Sequence, residues 1–282
     1  MVDSTVSRAA VPSVLIQPES GWVSLKLREL WQYRELLFFL IWRDVQVRYR
    51  QTALGIGWAI LQPLLTMAIF SVVFGRLANL PSDGLPYPIF CFAALLPWQL
   101  FSGALTRAGT SLVSSSNLLT KVYFPRLIIP ISAVAAGLVD FAIALGVLVV
   151  LMLFYGLTPG AAILWIPLLV LFALAAALAV GLWLSALNVK YRDVQHLIPF
   201  LVMAWMYASP VAYSASLIPA GKWRMLYALN PMTGVIQGFR WALAGGKAPD
   251  PSIFVSAGVV VVLLIGGLFY FRRMERVFAD IV

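Results

Sequence analysis

Cysteine and histidine each occur once in this 282-residue chain, and only 11% of its residues are charged. Each shortage excludes something. A lone Cys91 rules out an intrachain disulfide framework and a cysteine-rich metal centre, and within a long apolar run it reads as a small buried side chain. His196 has no second histidine with which to share a metal, so no zinc or di-iron site is expected. Soluble domains carry about 25% charge. With far less than that and 62% hydrophobic residues, most of this chain's exterior must face lipid. No segment has the P-loop order of glycine, four residues, glycine, lysine and serine or threonine, so the chain cannot hold ATP in that way. Any use of ATP belongs to a partner.

What the sequence does contain is long runs without charge. A helical crossing of the hydrocarbon core needs about 20 apolar residues. Residues 51–75, 84–106 and 251–271 carry no charge, and each run is long enough for one crossing. Between Arg126 and Lys190 the only charge is Asp140, and the turn composition of Gly156, Leu157, Thr158, Pro159 and Gly160 divides that stretch in two. The uncharged run from Val194 to Gly221, ending as a helix near Pro210, supplies one more. The expected fold is all-α, with six membrane-spanning helices at about 54–76, 87–107, 127–155, 161–188, 195–213 and 252–271.

Placement of the basic residues then orients the bundle. The net charge of +9 could suggest nucleic acid, but in a membrane protein the distribution of Lys and Arg across the loops decides. Six crossings leave Arg76, Lys222, Arg224, Arg240 and Lys247 on one side and the other fifteen of the twenty basic residues on the side of both termini. That asymmetry predicts cytoplasmic termini and no nucleic-acid partner. Residues 1–21 read as a tail without an apolar core of signal-peptide length, so no cleaved leader is expected.

Residues 22–50 mix Leu30, Trp31, Leu36, Phe38 and Ile41 with Arg34, Glu35, Arg43, Asp44 and Arg48, the pattern of an amphipathic helix in the headgroup layer or of a plain cytoplasmic helix. After the second crossing, a short helix is expected with Asn117 as its N-cap and Pro125 as its stop. Residues 217–244 are too interrupted for a span and too apolar for an exposed loop. Asn230 and Pro231 supply an N-cap and a first-turn proline, so a helix of about 20 Å should run from Pro231 to about Leu243. Irregular backbone at membrane depth needs protein or a water-filled cavity around it, which makes this region a border of a pathway or a packing hairpin.

Ionisable and aromatic residues give the chemical candidates. Asp140 is the single acid inside a crossing, a costly position that suggests function. It has no partner acid or base in its own span, and a neighbouring helix end or polar interface could supply one. Aromatic residues make up 13% of the chain. Trp98 and Phe101 in the second crossing, with Trp205, Tyr207 and Tyr213 in the fifth, could line a passage, since aromatic faces offer apolar contact and Tyr and Trp add a polar tip. Helix packing and interfacial belts are the alternative reading of each.

Five strings carry a family resemblance: RYRQTALGIGWAILQP from Arg48 to Pro63, NLLTKVYFPRLIIP from Asn117 to Pro130, LNVKYRD from Leu187 to Asp193, Ser209-Pro210-Val211, and NPMTGVIQGFR from Asn230 to Arg240. In this order and spacing the chain resembles the membrane subunit of ABC-2-type transporters, in the branch that exports O-antigen, capsule or teichoic-acid polymers. The resemblance implies a homodimer in the inner membrane above two copies of a cognate ATPase, with ATP and Mg bound by that partner and none on this chain. It implies a lipid-linked polysaccharide as substrate, O-antigen favoured, and no enzymatic activity of the chain's own. It points to Glu35, Arg43, Asn117, Lys121, Tyr123, Phe124, Arg126, Arg192 and Asp193 as ATPase-coupling residues. Trp58, Phe70, Trp205 and Tyr207 become channel-lining candidates. Pro219, Trp223, Asn230, Pro231 and Arg240 fall on the short outer gate helices. The competing readings are an exporter of a small lipid or drug and, in another class, a membrane glycosyl- or acyltransferase. The latter would need acids or a histidine clustered at one membrane face.

Overall fold

A computed structural model describes residues 27–50, 57–158, 160–219, 221–245 and 248–281. The expected tail at 1–21, the start of the amphipathic helix at 22–26 and the first residues of the first crossing at 54–56 lie outside the described residues. The described chain is helical, without a strand. Its elements are α1 (Leu27–Gln32), α2 (Arg34–Arg50), α3 (Gly57–Phe70), α4 (Tyr87–Ser114), α5 (Ser116–Lys121), α6 (Ile128–Ala135), α7 (Gly137–Phe154), α8 (Ile166–Lys190), α9 (Val194–Tyr207), α10 (Lys222–Ala228), α11 (Pro231–Ala244) and α12 (Ile253–Ile281).

Five stretches among the described residues are long and apolar enough to cross a membrane: 57–77, 87–114, 128–154, 161–190 and 253–275. The first is α3 continued by a π-helical turn over Ser71–Leu77. The third is α6 and α7 joined end to end through Ala136. The fourth starts with a 3₁₀ turn over Ala161–Trp165. These agree with the expected crossings, although α4 and α12 run well beyond the anticipated ends at 107 and 271. A charge-free run marks only the part of a helix that lies in hydrocarbon.

The fifth expected crossing, 195–213, is the exception. Its helix α9 has 14 residues, about 21 Å, and stops at Tyr207. Beyond it the backbone turns through Ala208–Ser214 and a 3₁₀ turn at Ala215–Leu217 before α10 and α11. The fifth expected crossing is therefore a shortened helix followed by irregular chain, with the two expected short helices after it.

α4 is the centre of the bundle. It packs against α3, α6, α7, α8, α9 and α11, and its side chains from Ile89 to Phe101 are almost all buried. Small residues let the neighbours approach closely, as membrane helices require in the absence of a hydrophobic drive between them. A Cβ at Gly181 of α8 would stand 2.6 Å from the Cβ of Ala108 on α4. Outward side chains such as Leu65, Ile69, Val150, Leu171 and Val262 form an exposed apolar belt far larger than a soluble surface tolerates.

Two ends of the bundle are distinct. At the basic end, which carries Lys121, Arg126, Lys190 and Arg192, a second hydrophobic cluster gathers Leu40, Leu112, Phe124, Leu127, Val189 and Phe271. At the opposite end, the Tyr87 hydroxyl donates to the Ala212 carbonyl at 2.5 Å and Trp165 packs on Trp241.

The tight α4–α8 contact makes a clear prediction. Gly181→Val should sharply lower the yield of monodisperse protein in detergent, because overpacking costs about 1–3 kcal/mol or more. Gly146→Val, where a side chain would meet nothing within 4 Å, should leave the yield unchanged by size-exclusion chromatography.

Candidate functional site

The basic end assembles most of the residues expected to couple to an ATPase. Leu30 of α1, Tyr33 between the two helices, and Leu36 and Leu37 of α2 pack on the same cluster as Leu118 and Leu119 of α5. The chain breaks between α1 and α2 at Tyr33, so the expected continuous amphipathic helix is two pieces over its described length. Around this shared core Glu35, Asn117, Lys121, Tyr123, Arg192 and Asp193 stand exposed, Tyr123 at 81%. Two expected members turn inward: Phe124 is buried in the cluster, and Arg126 Nη1 donates to the Glu275 carbonyl at 2.6 Å. Arg43 pairs with Asp44 at 2.8 Å. Asn117 is not the cap of α5. Ser115 occupies that position, shared with the end of α4, and α5 ends at Lys121 rather than at Pro125.

Trp31, Phe38, Phe39 and Trp42 of α1 and α2 are exposed, which suits burial in a headgroup layer. From there α2 leads into the bundle. The Arg48 guanidinium and the Tyr49 hydroxyl donate to the two carboxylate oxygens of Asp140. Asp140 thus has the partners its own span lacks, supplied by the end of a different helix. Burial first, then the bond to Asp140, pushes the Tyr49 hydroxyl up to about 12, so it remains a donor at physiological pH. This ion pair and its hydrogen bond tie the surface helix to α7.

At the opposite end the interrupted crossing is held by two residues of the expected gate. Asn230 uses its whole side chain: Oδ1 accepts from the Met232 amide at 3.0 Å and the Trp205 indole at 2.9 Å, and Nδ2 donates to the Ala208 carbonyl at 3.1 Å and Ser209 Oγ at 2.9 Å. It is both the N-cap of α11, with Pro231 in the first turn, and the clamp on the end of α9. Arg240, fully inside, donates to the carbonyls of Val211 at 2.9 Å, Phe90 at 3.2 Å and Tyr213 at 3.3 Å, with its Cζ 3.5 Å from the centre of the Phe90 ring. The bonds to Val211 and Tyr213 satisfy carbonyls of the irregular chain that follows α9, and the bond to Phe90 ties that chain to α4. Tyr213 also meets Tyr227, hydroxyl to hydroxyl, at 2.8 Å. Pro219 lies exposed before α10, and Trp223 lies exposed in its first turn.

The aromatic candidates divide. Trp98 and Phe101 are 3% and 0% exposed and pack with Trp205 inside the subunit's own core, so they line no open face of the chain. Trp58 and Tyr207 are 51% and 60% exposed. Trp58, Leu61, Leu65 and Ile69 form an uncovered stripe on α3, and Leu197, Phe200, Met203 and Tyr207 form another on α9. Phe70 and Trp205 are half-buried, packed against the main core.

The model of one protein family, described as ABC-2 type transporter, matches residues 35–244. The chain is 34% identical over 258 residues to the O-antigen export system permease protein RfbA of Myxococcus xanthus, covering 90% of this chain and 98% of that protein. It is 28% identical to the permease of the same name from Klebsiella pneumoniae, over 88% and 95% of the two chains. Against the polysialic acid transport protein KpsM of Escherichia coli the identity is 25%, over 84% and 92%.

Asn230→Ala removes an N-cap worth about 1 kcal/mol and leaves the Trp205 indole without its acceptor, a further cost of about 1–3 kcal/mol. The purified protein should melt at a lower temperature, read by differential scanning fluorimetry, with Asn230→Asp losing less because it keeps the acceptor oxygen.

Proposed function

This chain belongs to the ABC-2 type transporter family, and from that premise we propose that it is the membrane permease of an ATP-driven exporter of a polysaccharide, with lipid-linked O-antigen as the cargo. The observation that carries the proposal is likeness over nearly the whole chain to permeases named for O-antigen export. Five apolar helices long enough to cross a bilayer make it an integral membrane protein.

In the proposed complex two copies of the chain meet, two ATPase subunits sit beneath them, and both termini face the cytoplasm. ATP and its Mg bind on the ATPases. The exposed rim formed by Glu35, Asn117, Lys121, Tyr123, Arg192 and Asp193 is the docking surface, supported by their shared placement at the basic end. Closure of the ATPases presses on α5 and α2, and the rigid α4 core passes the displacement on as a body movement. The uncovered stripes of α3 and α9 face the partner copy and border the passage. Apolar and aromatic side chains there let a glycan slide without being trapped. The short helices α10 and α11 form the outer gate, held in register by Asn230 and Arg240.

The test is complementation with the cognate ATPase in a strain lacking its own O-antigen exporter. The wild-type pair should restore surface O-antigen. Lys121→Glu combined with Tyr123→Ala should leave the permease at its normal level in the membrane yet reduce export about tenfold or more, the effect of about 1.4 kcal/mol at the docking surface. Unaltered export and unaltered copurification of the ATPase would remove the docking assignment; no surface polymer from the wild-type pair would remove the cargo.

A further inference from the structure

A cavity of about 320 Å³ lies between the end of α2 and the helices α3, α4 and α7, and it is distinct from both the docking rim and the gate. That volume is at the lower end of small-molecule sites, about 300–1,000 Å³. Its wall carries Arg48, Tyr49, Gln62, Gln99, Arg107 and Asp140. The charges do not balance. Both oxygens of Asp140 are already engaged by Arg48 and Tyr49. Arg107 makes one hydrogen bond, from Nε to the Ala133 carbonyl at 3.0 Å. Among the described residues its Nη1 and Nη2 have no acceptor, and neither do the side-chain amides of Gln62 and Gln99.

The guanidinium has been given room. A Cβ at Gly103, one turn earlier on α4, would stand 3.0 Å from Nη1, and a Cβ at Gly137, the first residue of α7, would overlap Nη2 outright. Two glycines from two helices therefore keep a planar cation open toward a polar cavity inside a lipid-facing bundle. An uncompensated charge at membrane depth is costly, and a fork of two parallel N–H groups fits an oxyanion bidentately. Ligands that reach this level from the bilayer and carry such oxygens are phosphate esters.

We propose that this cavity is a binding site for the phosphate group of a lipid, with Arg107 as the primary contact and Gln62 and Gln99 as further donors. The ligand is either a bilayer phospholipid or the diphosphate of a polyprenyl carrier. Because Arg48 and Tyr49 belong to the interface helix, an occupied site also cements α2 to the bundle. The inference concerns binding by this chain and does not depend on which polymer is exported.

The experiment titrates the purified permease, assembled with its ATPase, with dioleoylphosphatidylglycerol, with farnesyl diphosphate, and with dioleoylglycerol as a phosphate-free control, and reads bound lipid by native mass spectrometry. Saturable binding of a phosphate-bearing probe but not of dioleoylglycerol is expected. Arg107→Gln should weaken it about tenfold or more, in keeping with a charge-assisted bond, while Arg224→Gln at the opposite end leaves it unchanged. Preference for farnesyl diphosphate identifies the carrier; preference for phosphatidylglycerol identifies the phospholipid. Should Arg107→Gln fold poorly, Gln62→Leu with Gln99→Leu keeps the cation and should still weaken binding severalfold. Binding indifferent to the phosphate, or equal in wild type and the variants, overturns the proposal and leaves a water-filled cavity.

Discussion

Hydrocarbon supplies no partner for a backbone N–H or C=O, and this single constraint shapes the chain. Where a helix runs unbroken the problem is solved locally. Where α9 stops at Tyr207 it is solved by side chains from α11 and its cap: Asn230 takes the end of α9 and Arg240 takes the carbonyls of Val211 and Tyr213 beyond it. A buried cation is expensive unless it is fully bonded. Here its donors are spent on backbone and its face on Phe90, so the shortened crossing and the arginine depend on each other. A helix that ends early, followed by irregular chain, leaves between α9 and α11 a segment that can rearrange without separating packed helices.

Everything else is arranged around one enclosed helix. Because α4 touches α3, α6, α7, α8, α9 and α11, a displacement at its basic end cannot remain local. The close packing of small residues makes the movement one of a body and not of separate side chains. The pairing of Arg48 and Tyr49 with Asp140 adds a second connection, from the surface helix directly to α7. These two routes relate the docking rim, on the proposed reading, to the stripes on α3 and α9.

Much of this was legible because it is local. Charge-free runs locate helices in lipid, and Asn230-Pro231 announces a helix start through the chemistry of four residues. Other features required tertiary information. The run from Val194 to Gly221 is uncharged whether it is helix or folded loop, so α9 read as a full span even though Pro210 marked its end. Three serines before Asn117 offered equally good caps, and Ser115 holds the position. Trp98 and Phe101 belong to a helix buried along most of its length, where an apolar run does not show which side chains meet the core. Asp140 finds its partners 91 and 92 residues away. Arg107 could have been suspected: ending its span at that residue hid the fact that α4 continues to Ser114 and carries the cation inside the bundle.

The proposed mechanism requires the basic rim and the short helices α10 and α11 to lie on opposite faces of the membrane, the rim inside. The one native cysteine, Cys91, is fully buried, and Cys91→Ser removes any background, so single cysteines can be read directly. With a membrane-impermeant maleimide on intact spheroplasts, Trp223→Cys should be labelled at once and Tyr123→Cys only after the membrane is opened. Labelling of Tyr123→Cys in the intact cell, with Trp223→Cys protected, would contradict it.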